Sequence, residues 1–566
     1  MKAKLFAFAS VLMLSACMAT TPPPPSPPPP APPPPPPPPA YGQADQIVVT
    51  GSQITRSRFV ASSPVTTVSG AHGQVILPGL MELEPVDRDR FEDVDPNPVI
   101  AVADEPVSTF SIDVDTASYS VVRRRLQDGQ LPPSDAVRVE EMVNYFDYEY
   151  ALPEGTEAPF ATHVEIMPTP WNTDTQLLHI GIQGYDVVPE ERPRANLVFL
   201  IDVSGSMGAP DKLPLAVDAM HMLVDELDPD DTVSIVVYAG AAGAVLEPTE
   251  ARHARRIHNA LDRLNAGGST AGGAGLALAY DLAERNFDPE AVNRVMLLTD
   301  GDFNVGQTRD ESLEDFIIRK RESGIYLSIM GFGRGNYNDL LMQTLAQAGN
   351  GTAGYIDSRR EARRMLVEES ASSLFPIAND VKIQIEFNPA RVSEYRLIGY
   401  ETRLLDNADF NNDRVDAGEI GSGHSVTAIY EIAAPGSDGL LLEPSRYQPQ
   451  PDLPADLGNE FAHLRLRYKR PGEEYSQLIE RPVTTADVVD TFEEAGTEVR
   501  FSVHVAGFAQ LLRDDPYLRD DAYDWSAILD GASGLVGEDE LGFREEFLGL
   551  VDRARFLDER GGDKTP

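Results

Sequence analysis

The chain has 566 residues, 42% of them hydrophobic and 24% charged, a length that predicts two to four domains and a composition too polar for a multi-span membrane protein. Against 47 Lys and Arg stand 90 Asp and Glu, a net charge of -43, which repels phosphate backbones and argues against nucleic-acid partners. The single cysteine, Cys17, excludes an intramolecular disulfide, a Cys-based zinc site and an iron–sulfur cluster.

Residues 1–16 carry Lys2 and Lys4, an apolar stretch from Leu5 to Leu14, and the small residues Ser15 and Ala16. That is the pattern of a cleaved signal peptide, too short to span a bilayer, and an ordinary secretory signal would read the same way. Leu14-Ser15-Ala16-Cys17 resembles the lipobox of bacterial lipoproteins. The resemblance implies that Cys17 becomes an acylated N-terminus, and several acyl chains together anchor a protein stably. Met18, rather than Asp, after the cysteine implies by the same resemblance the outer membrane of a Gram-negative envelope.

The next segment, 17–40, is a linker: residues 22–39 hold 16 of the 46 prolines, interrupted by Ser26 and Ala31. A polyproline II rod of that length reaches roughly 55 Å. It reads as a spacer, with a ligand for proline-reading domains as the alternative. Residues 41–100 lack sustained periodicity and are expected to be mostly disordered. Within them Gln46 to Ile54 is similar to the opening of plug domains in TonB-dependent outer-membrane receptors, with no barrel downstream.

Residues 101–190 form an N-terminal region. Val107 to Val114 predicts a strand and Thr116 to Gln130 a helix, closed by Leu131-Pro132-Pro133. A second helix follows with Ser134 as N-cap and Val137, Val139, Met142, Val143 and Phe146 as its apolar face. Asp113 and Asp115 read as strand end and helix cap rather than as the start of a metal loop. Arg123 to Arg125 read as a solvated or acid-paired face.

Residues 191–375 alternate strand and helix. Leu197 to Ile201 is a continuous apolar run, as in a strand buried on both faces. A helix is expected from Lys212 to Leu227, a strand from Thr232 to Tyr238, and helices over Ala251–Leu264 and Gly273–Arg285. Then come a strand over Asn293–Thr299, a helix over Ser312–Ser323, a strand over Ile325–Gly331 and a helix over Asn338–Ala348. This predicts a doubly wound α/β domain with ligands beyond the carboxyl ends of its strands, where Asp202 and Asp300 converge.

Asp202-x-Ser204-x-Ser206, then Thr270 within Gly267 to Gly275, then Asp300 in Leu298-Thr299-Asp300-Gly301, resembles the metal-ion-dependent adhesion site of von Willebrand factor type A domains. The regions 108–148 and beyond Pro376 are similar to bacterial lipoproteins built around that domain. The resemblance implies a doubly wound von Willebrand A-type domain with an N-terminal helical and strand extension and a C-terminal α+β accessory domain. It also implies Mg²⁺, with Mn²⁺ or Ca²⁺ as substitutes, bound directly by Ser204 and Ser206. Thr270 then binds directly or through water, and Asp202 and Asp300 act largely through water or by holding the groups that bind the ion. Mg²⁺ demands octahedral oxygen coordination and keeps part of its water shell. The expected partner is a protein or peptide whose Asp or Glu completes the coordination. Asp302 and Asn304 follow the metal aspartate as a candidate partner-selecting rim. The alternative reading has the serines as helix caps and both aspartates as structural.

An enzyme is not expected. No serine lies in a GxSxG elbow, no HExxH pair occurs, and His253 with His258 reads as a solvated helix face. A metal-dependent hydrolase is a remote rival. Asp409, Asn411 and Asp413 imitate a calcium loop, but Arg414 and Ile420 occupy its glycine and glutamate positions, so a polar turn is expected. In the accessory domain, 376–558, strands are expected over Val381–Phe387, Val426–Ile432 and Phe461–Tyr468, and helices over Thr497–Arg513 and Leu541–Phe556. Function therefore reads as Mg²⁺-dependent capture by an envelope-anchored binding protein, against a metal-independent envelope scaffold whose tail makes the contacts.

Overall fold

The computed structural model describes residues 89–155, 157–187, 192–268, 272–301, 303, 310–369, 375–443, 458–473, 475–518, 523–539 and 541–561. The signal peptide, Cys17, the proline-rich linker and the segment from Gln46 to Ile54 lie outside the described residues. Among the described residues no helix is long and apolar enough to cross a membrane.

Two short strands come first, β1 (Ile100–Ala101) and β2 (Val107–Ser111), followed by helices α1 (Ala117–Gln127) and α2 (Val139–Val143) and a hairpin of β3 (Phe160–Thr169) and β4 (Asn172–Gly184). The central region runs β5 (Ala195–Asp202), α3 (Leu213–Glu226), β6 (Thr232–Tyr238), β7 (Ala242–Glu250), α4 (Ala254–Leu261) and α5 (Gly272–Arg285). It continues with β8 (Val292–Thr299), α6 (Asp310–Glu322), β9 (Ile325–Phe332), α7 (Asp339–Ala348), β10 (Ala353–Ile356) and α8 (Arg359–Arg363). The last part holds β11 (Pro376–Phe387), β12 (Glu394–Ile398), β13 (Gly418–Gly421), β14 (Ser425–Ala433), β15 (Glu460–Lys469) and β16 (Gln477–Thr484). Helices α9 (Thr497–Arg513), α10 (Trp525–Ala532) and α11 (Phe543–Glu559) close it.

The central sheet has the order β10-β9-β8-β5-β6-β7, parallel throughout except for β7, which runs antiparallel along the β6 edge. Strand β5 is apolar on both faces because both are covered. Leu197, Phe199 and Ile201 pack into the core shared with α3 and α4, whereas Val198 and Leu200 pack into the one shared with α5 and α7. Pro214 in the first turn of α3 fixes φ where no intrahelical N–H bond is required. The sequence missed β7 and the β3–β4 hairpin. It also ran two short helices long: a 3₁₀ turn at Ser134–Ala136 ends on the extended residue Val137 before α2 begins, and another turn at Ala251–His253 precedes α4.

The flanking regions are interleaved rather than stacked end to end. One antiparallel sheet has the order β1-β12-β14-β4-β3, and a second runs β13-β11-β15-β16 with β2 also paired to β11. Register places Ile100 opposite Tyr395, Phe110 opposite Ile383 and His179 opposite Ile429. The two sheets close on one core that includes Phe110, Ile180, Ile182, Ile383, Tyr430 and Leu464. A further core gathers α9, α10 and α11 against α1 and α2 through Tyr119, Phe146, Phe501, Phe508 and Phe547. The α/β domain is thus inserted between β4 and β11 of a host built from both ends of the described chain.

Candidate functional site

Ile201 on β5 registers with Leu298 on β8, so the two strands deliver Asp202 and Asp300 side by side at the carboxyl edge of the sheet. Asp202 is fully buried, and its Oδ1 accepts a 2.7 Å bond from the Ser204 backbone N–H. That bond turns the chain sharply, so that the Ser204 hydroxyl comes within 2.9 Å of the Ser206 hydroxyl. The turn is held from outside as well. Val203 donates to the Tyr238 carbonyl at 3.0 Å, Gly267 donates to the Val203 carbonyl at 2.7 Å, and Gly205 donates to the Gly268 carbonyl at 3.1 Å. Ser204 is buried, whereas Ser206 is exposed on the rim.

After Asp300 the chain needs Gly301. Its φ is 101°, and a Cβ there would lie 2.3 Å from the Asn336 carbonyl oxygen, a conformation and an approach closed to other residues. Asn336 in turn helps to place Lys212, the residue just before α3. The Lys212 ammonium donates to Asp300 Oδ2 at 2.8 Å and to Asn336 Oδ1 at 2.9 Å, with 9% of the Lys212 side chain and none of the Asp300 side chain exposed. The aliphatic stem of Lys212 fills the space left by Gly333, where a Cβ would come 2.3 Å from its carbons.

The two carboxylates sit in opposed electrostatic settings. Burial pushes the Asp202 carboxyl up to about 6, against the bonds from Ser204 and against the neighbouring Tyr238 hydroxyl, with the charge of Asp300 adding to the rise. Burial acts on Asp300 as well, but hydrogen bonds from Lys212 and Asn336, the Lys212 charge and the Ser206 hydroxyl hold it below the usual carboxylate range. Asp202 Oδ2 is buried with no hydrogen-bond partner, a costly state for a carboxylate oxygen. An unsatisfied carboxylate oxygen, a second carboxylate and two hydroxyls are all hard oxygen donors, a set that fits a small divalent cation of the Mg²⁺ class. Among the described residues no group of three or more His, Cys, Asp or Glu is placed to hold a metal, so any ion here depends on the hydroxyls.

The structure therefore brings Asp202, Ser204, Ser206 and Asp300 together. Thr270 lies outside the described residues, as do Asp302 and Asn304. Lys212 was not singled out in the sequence. Its signal was a lone lysine at the foot of an apolar helix, directly after the serine loop.

Other candidate residues have structural roles. Asp113 and Asp115 cap no helix: both accept from Arg403, at 2.9 and 3.0 Å, and Thr116 precedes α1 without a side-chain cap bond. Arg123 to Arg125 are buried and acid-paired, not solvated. In the calcium-like segment, the carbonyls of Asp409 and Asn412 accept from Lys382, the Asn411 side-chain oxygen accepts from Arg467 and the Asp413 carboxylate accepts from Ser476, so two of the three side chains that would ligate calcium are already engaged. His253 is exposed, whereas His258 is partly buried against His221.

Comparison with known families matches residues 196–366 to the von Willebrand factor type A domain, residues 85–179 to a model described as von Willebrand factor, and residues 372–557 to the C-terminal region of the uncharacterized protein YfbK. The uncharacterized protein YfbK of Escherichia coli strain K12 is 44% identical over 472 residues, covering 82% of this chain and 81% of that protein. Human inter-alpha-trypsin inhibitor heavy chain H3 is 28% identical over 279 residues, covering 46% of this chain and 30% of the inhibitor chain. Among solved structures, a von Willebrand factor type A protein from Catenulispora acidiphila shares 18% identity at a TM-score of 0.39, covering 70% of this chain and 91% of that one. The ArnB paralog VWA2 from Sulfolobus acidocaldarius shares 16% identity at 0.33, covering 71% of this chain and 98% of that one.

Proposed function

Because the chain belongs to the family of bacterial von Willebrand factor type A proteins represented by YfbK, we propose that it is a non-enzymatic binding protein whose rim captures a protein or peptide carboxylate through a divalent metal ion. Domains of this type commonly mediate protein–protein interactions. The observation that carries the finer reading is the buried, unpartnered Oδ2 of Asp202 beside the paired hydroxyls of Ser204 and Ser206. Asp202, Ser204, Ser206 and Asp300, with Thr270, would hold Mg²⁺, or Mn²⁺ or Ca²⁺ in its place. When bound there, the ion supplies an open octahedral position suited to a partner's Asp or Glu oxygen. Ser206, exposed at the edge, marks the side from which that oxygen enters. Asp302 and Asn304 follow the metal aspartate in sequence and would select among partners.

The location proposed for this activity is the cell envelope. Cys17, as a lipidated N-terminus, would tether the chain to the outer membrane, and the proline-rich linker would lift the folded part from the lipid. Isothermal titration of MgCl₂ into the chelator-stripped chain tests the metal reading. Wild type is expected to take up one ion and Ser204→Ala to bind it about 100-fold more weakly. Absence of Mg²⁺ uptake by wild type defeats it. A second reading, a metal-independent envelope scaffold, is favoured by the Lys212–Asp300 ion pair, which neutralises one rim carboxylate without any ion. It requires partner capture in pull-down to be indifferent to chelator and to Asp202→Ala.

A further inference from the structure

A second cluster of ligating atoms lies between α3 and α4, away from the rim. His221 on α3 and His258 on α4 face each other with their Nδ1 atoms 2.5 Å apart. The ring centroids are 4.7 Å apart and the planes are inclined by 24°. That separation is close to the N···N distance plus the two ring radii, so the imidazoles meet nearly head-on along their lone-pair directions. The far nitrogen of each ring is engaged: His221 Nε2 lies 3.1 Å from Asp262 Oδ1, and His258 Nε2 lies 3.0 Å from Asp225 Oδ1. An ionised carboxylate only accepts hydrogen bonds, so each Nε2 carries its proton. Both Nδ1 lone pairs then converge on one point. Two lone pairs at that distance repel unless a positive charge lies between them, and only a third proton or a metal ion can supply it.

We propose that His221 and His258 form a binding site for one borderline transition-metal dication, of the Zn²⁺, Ni²⁺ or Cu²⁺ class, ligated through both Nδ1 atoms. Asp262 and Asp225 hold the opposite N–H groups, which is how carboxylates orient histidines around a metal and fix their tautomer. Bonds of about 2.0–2.1 Å in tetrahedral geometry require the two nitrogens to separate by less than about 1 Å from their present spacing. Both rings have that freedom, since each side chain is 25% exposed and stands on its own helix. Among the described residues no third His, Cys, Asp or Glu completes a cluster here, so the remaining positions fall to water and the site stays open to an outside ligand. Imidazole donors select against Mg²⁺, which separates this site chemically from the rim. It is also separate in space: His221 stands nine residues beyond Lys212, roughly 13 Å along the helix axis.

The test is isothermal titration of NiCl₂ into the full chain in the presence of saturating MgCl₂, for wild type, His221→Ala, His258→Ala, Asp225→Asn and Asp202→Ala. Wild type and Asp202→Ala are expected to take up one Ni²⁺, which each histidine variant loses. Asp225→Asn keeps the stoichiometry and weakens binding about tenfold, as loss of an orienting carboxylate does. Cu²⁺ added at one equivalent is expected to give an electron paramagnetic resonance spectrum split by two nitrogens in wild type, but not in His258→Gln, a milder replacement that keeps a polar side chain. Failure of wild type to take up Ni²⁺, or Ni²⁺ uptake unchanged in both histidine variants, overturns the proposal and leaves the pair as a proton shared between two helices. The rim plays no part in these outcomes, so they do not depend on the Mg²⁺ reading.

Discussion

The rim around Asp202 and Asp300 and the junction behind α1 are built from the same materials, buried carboxylates beside buried cations, yet they are finished differently. At the junction, Arg123 donates to Asp357, Glu361 and Tyr145, Arg364 donates to Glu361 and Thr116, and Tyr145 donates to Glu361 as well. Both Glu361 oxygens are engaged. At the rim, Asp202 keeps one buried oxygen with no donor and Ser206 stands open to solvent. Saturation marks a charge cluster that binds parts of the fold together, whereas a buried oxygen without a donor is a cost that the fold leaves standing.

The largest effect that separates the two regions is expected at Glu361. Replacing it with Ala leaves Arg123 and Arg364 buried without their shared acceptor, and urea unfolding is expected to show a loss of about 3–5 kcal/mol. Burial would push Glu361 up, but the charges of Arg364 and Arg123 and the Tyr145 hydroxyl hold it down to about 2. Its folded-state value is therefore depressed. The stability it contributes is complete above about pH 4.5, its ordinary value, and is lost as pH falls toward 2. An acid titration of the urea midpoint should show that loss in wild type and a flatter profile in Glu361→Gln.

Ser204→Ala makes the opposite kind of change. Mg²⁺ affinity in titration is expected to fall about 100-fold, some 2.7 kcal/mol, while the urea midpoint hardly moves. A large drop in stability without loss of metal would reverse the assignment of the two regions. A further buried carboxyl is Glu140 on α2, whose oxygens have no hydrogen-bond partner. Burial first, then the charges of Glu401, Asp113 and Glu141, push it up to about 8. A raised carboxyl destabilises increasingly as pH climbs from its unfolded value to its folded one, so Glu140→Gln should stabilise the protein at pH 8 by about 2 kcal/mol and hardly at pH 5. Melting temperatures at the two pH values test this. The smallest shift is expected from Lys212→Met, which removes a fixed positive charge bonded to Asp300. Mg²⁺ affinity is expected to rise about tenfold, near 1.4 kcal/mol. Unchanged or weaker binding would mean that the lysine organises Asp300 instead of opposing the ion.

The parts of this molecule that could be read from sequence are those with local causes. The apolar run before Asp202, the face of α3 and the alternation around β8 and β9 each carry their own period, and the serine loop announces itself by spacing. The β3–β4 hairpin and β7 were missed because partial alternation says nothing until a neighbouring strand covers one face. Asp113 and Asp115 read as caps because Arg403, nearly 300 residues away, is invisible from their surroundings. His258 read as solvated for the same reason: its partner sits on another helix. At the rim, the resemblance to the adhesion-site motif named Asp202, Ser204, Ser206 and Asp300, but Lys212 enters only through the folded loop of Gly333 and Asn336.

Insertion of the α/β domain between β4 and β11 has a consequence for synthesis. The opening strands find their neighbours only after about 240 to 280 further residues have been made, as the pairing of β4 with β14 and of β2 with β11 requires. The guest, whose strands connect locally, can reach its native form first, while the host waits with unsatisfied edges. Such long-range closure is slow and leaves strand edges exposed to aggregation. A chain interrupted before β11 would thus present a folded α/β domain on an unfinished host.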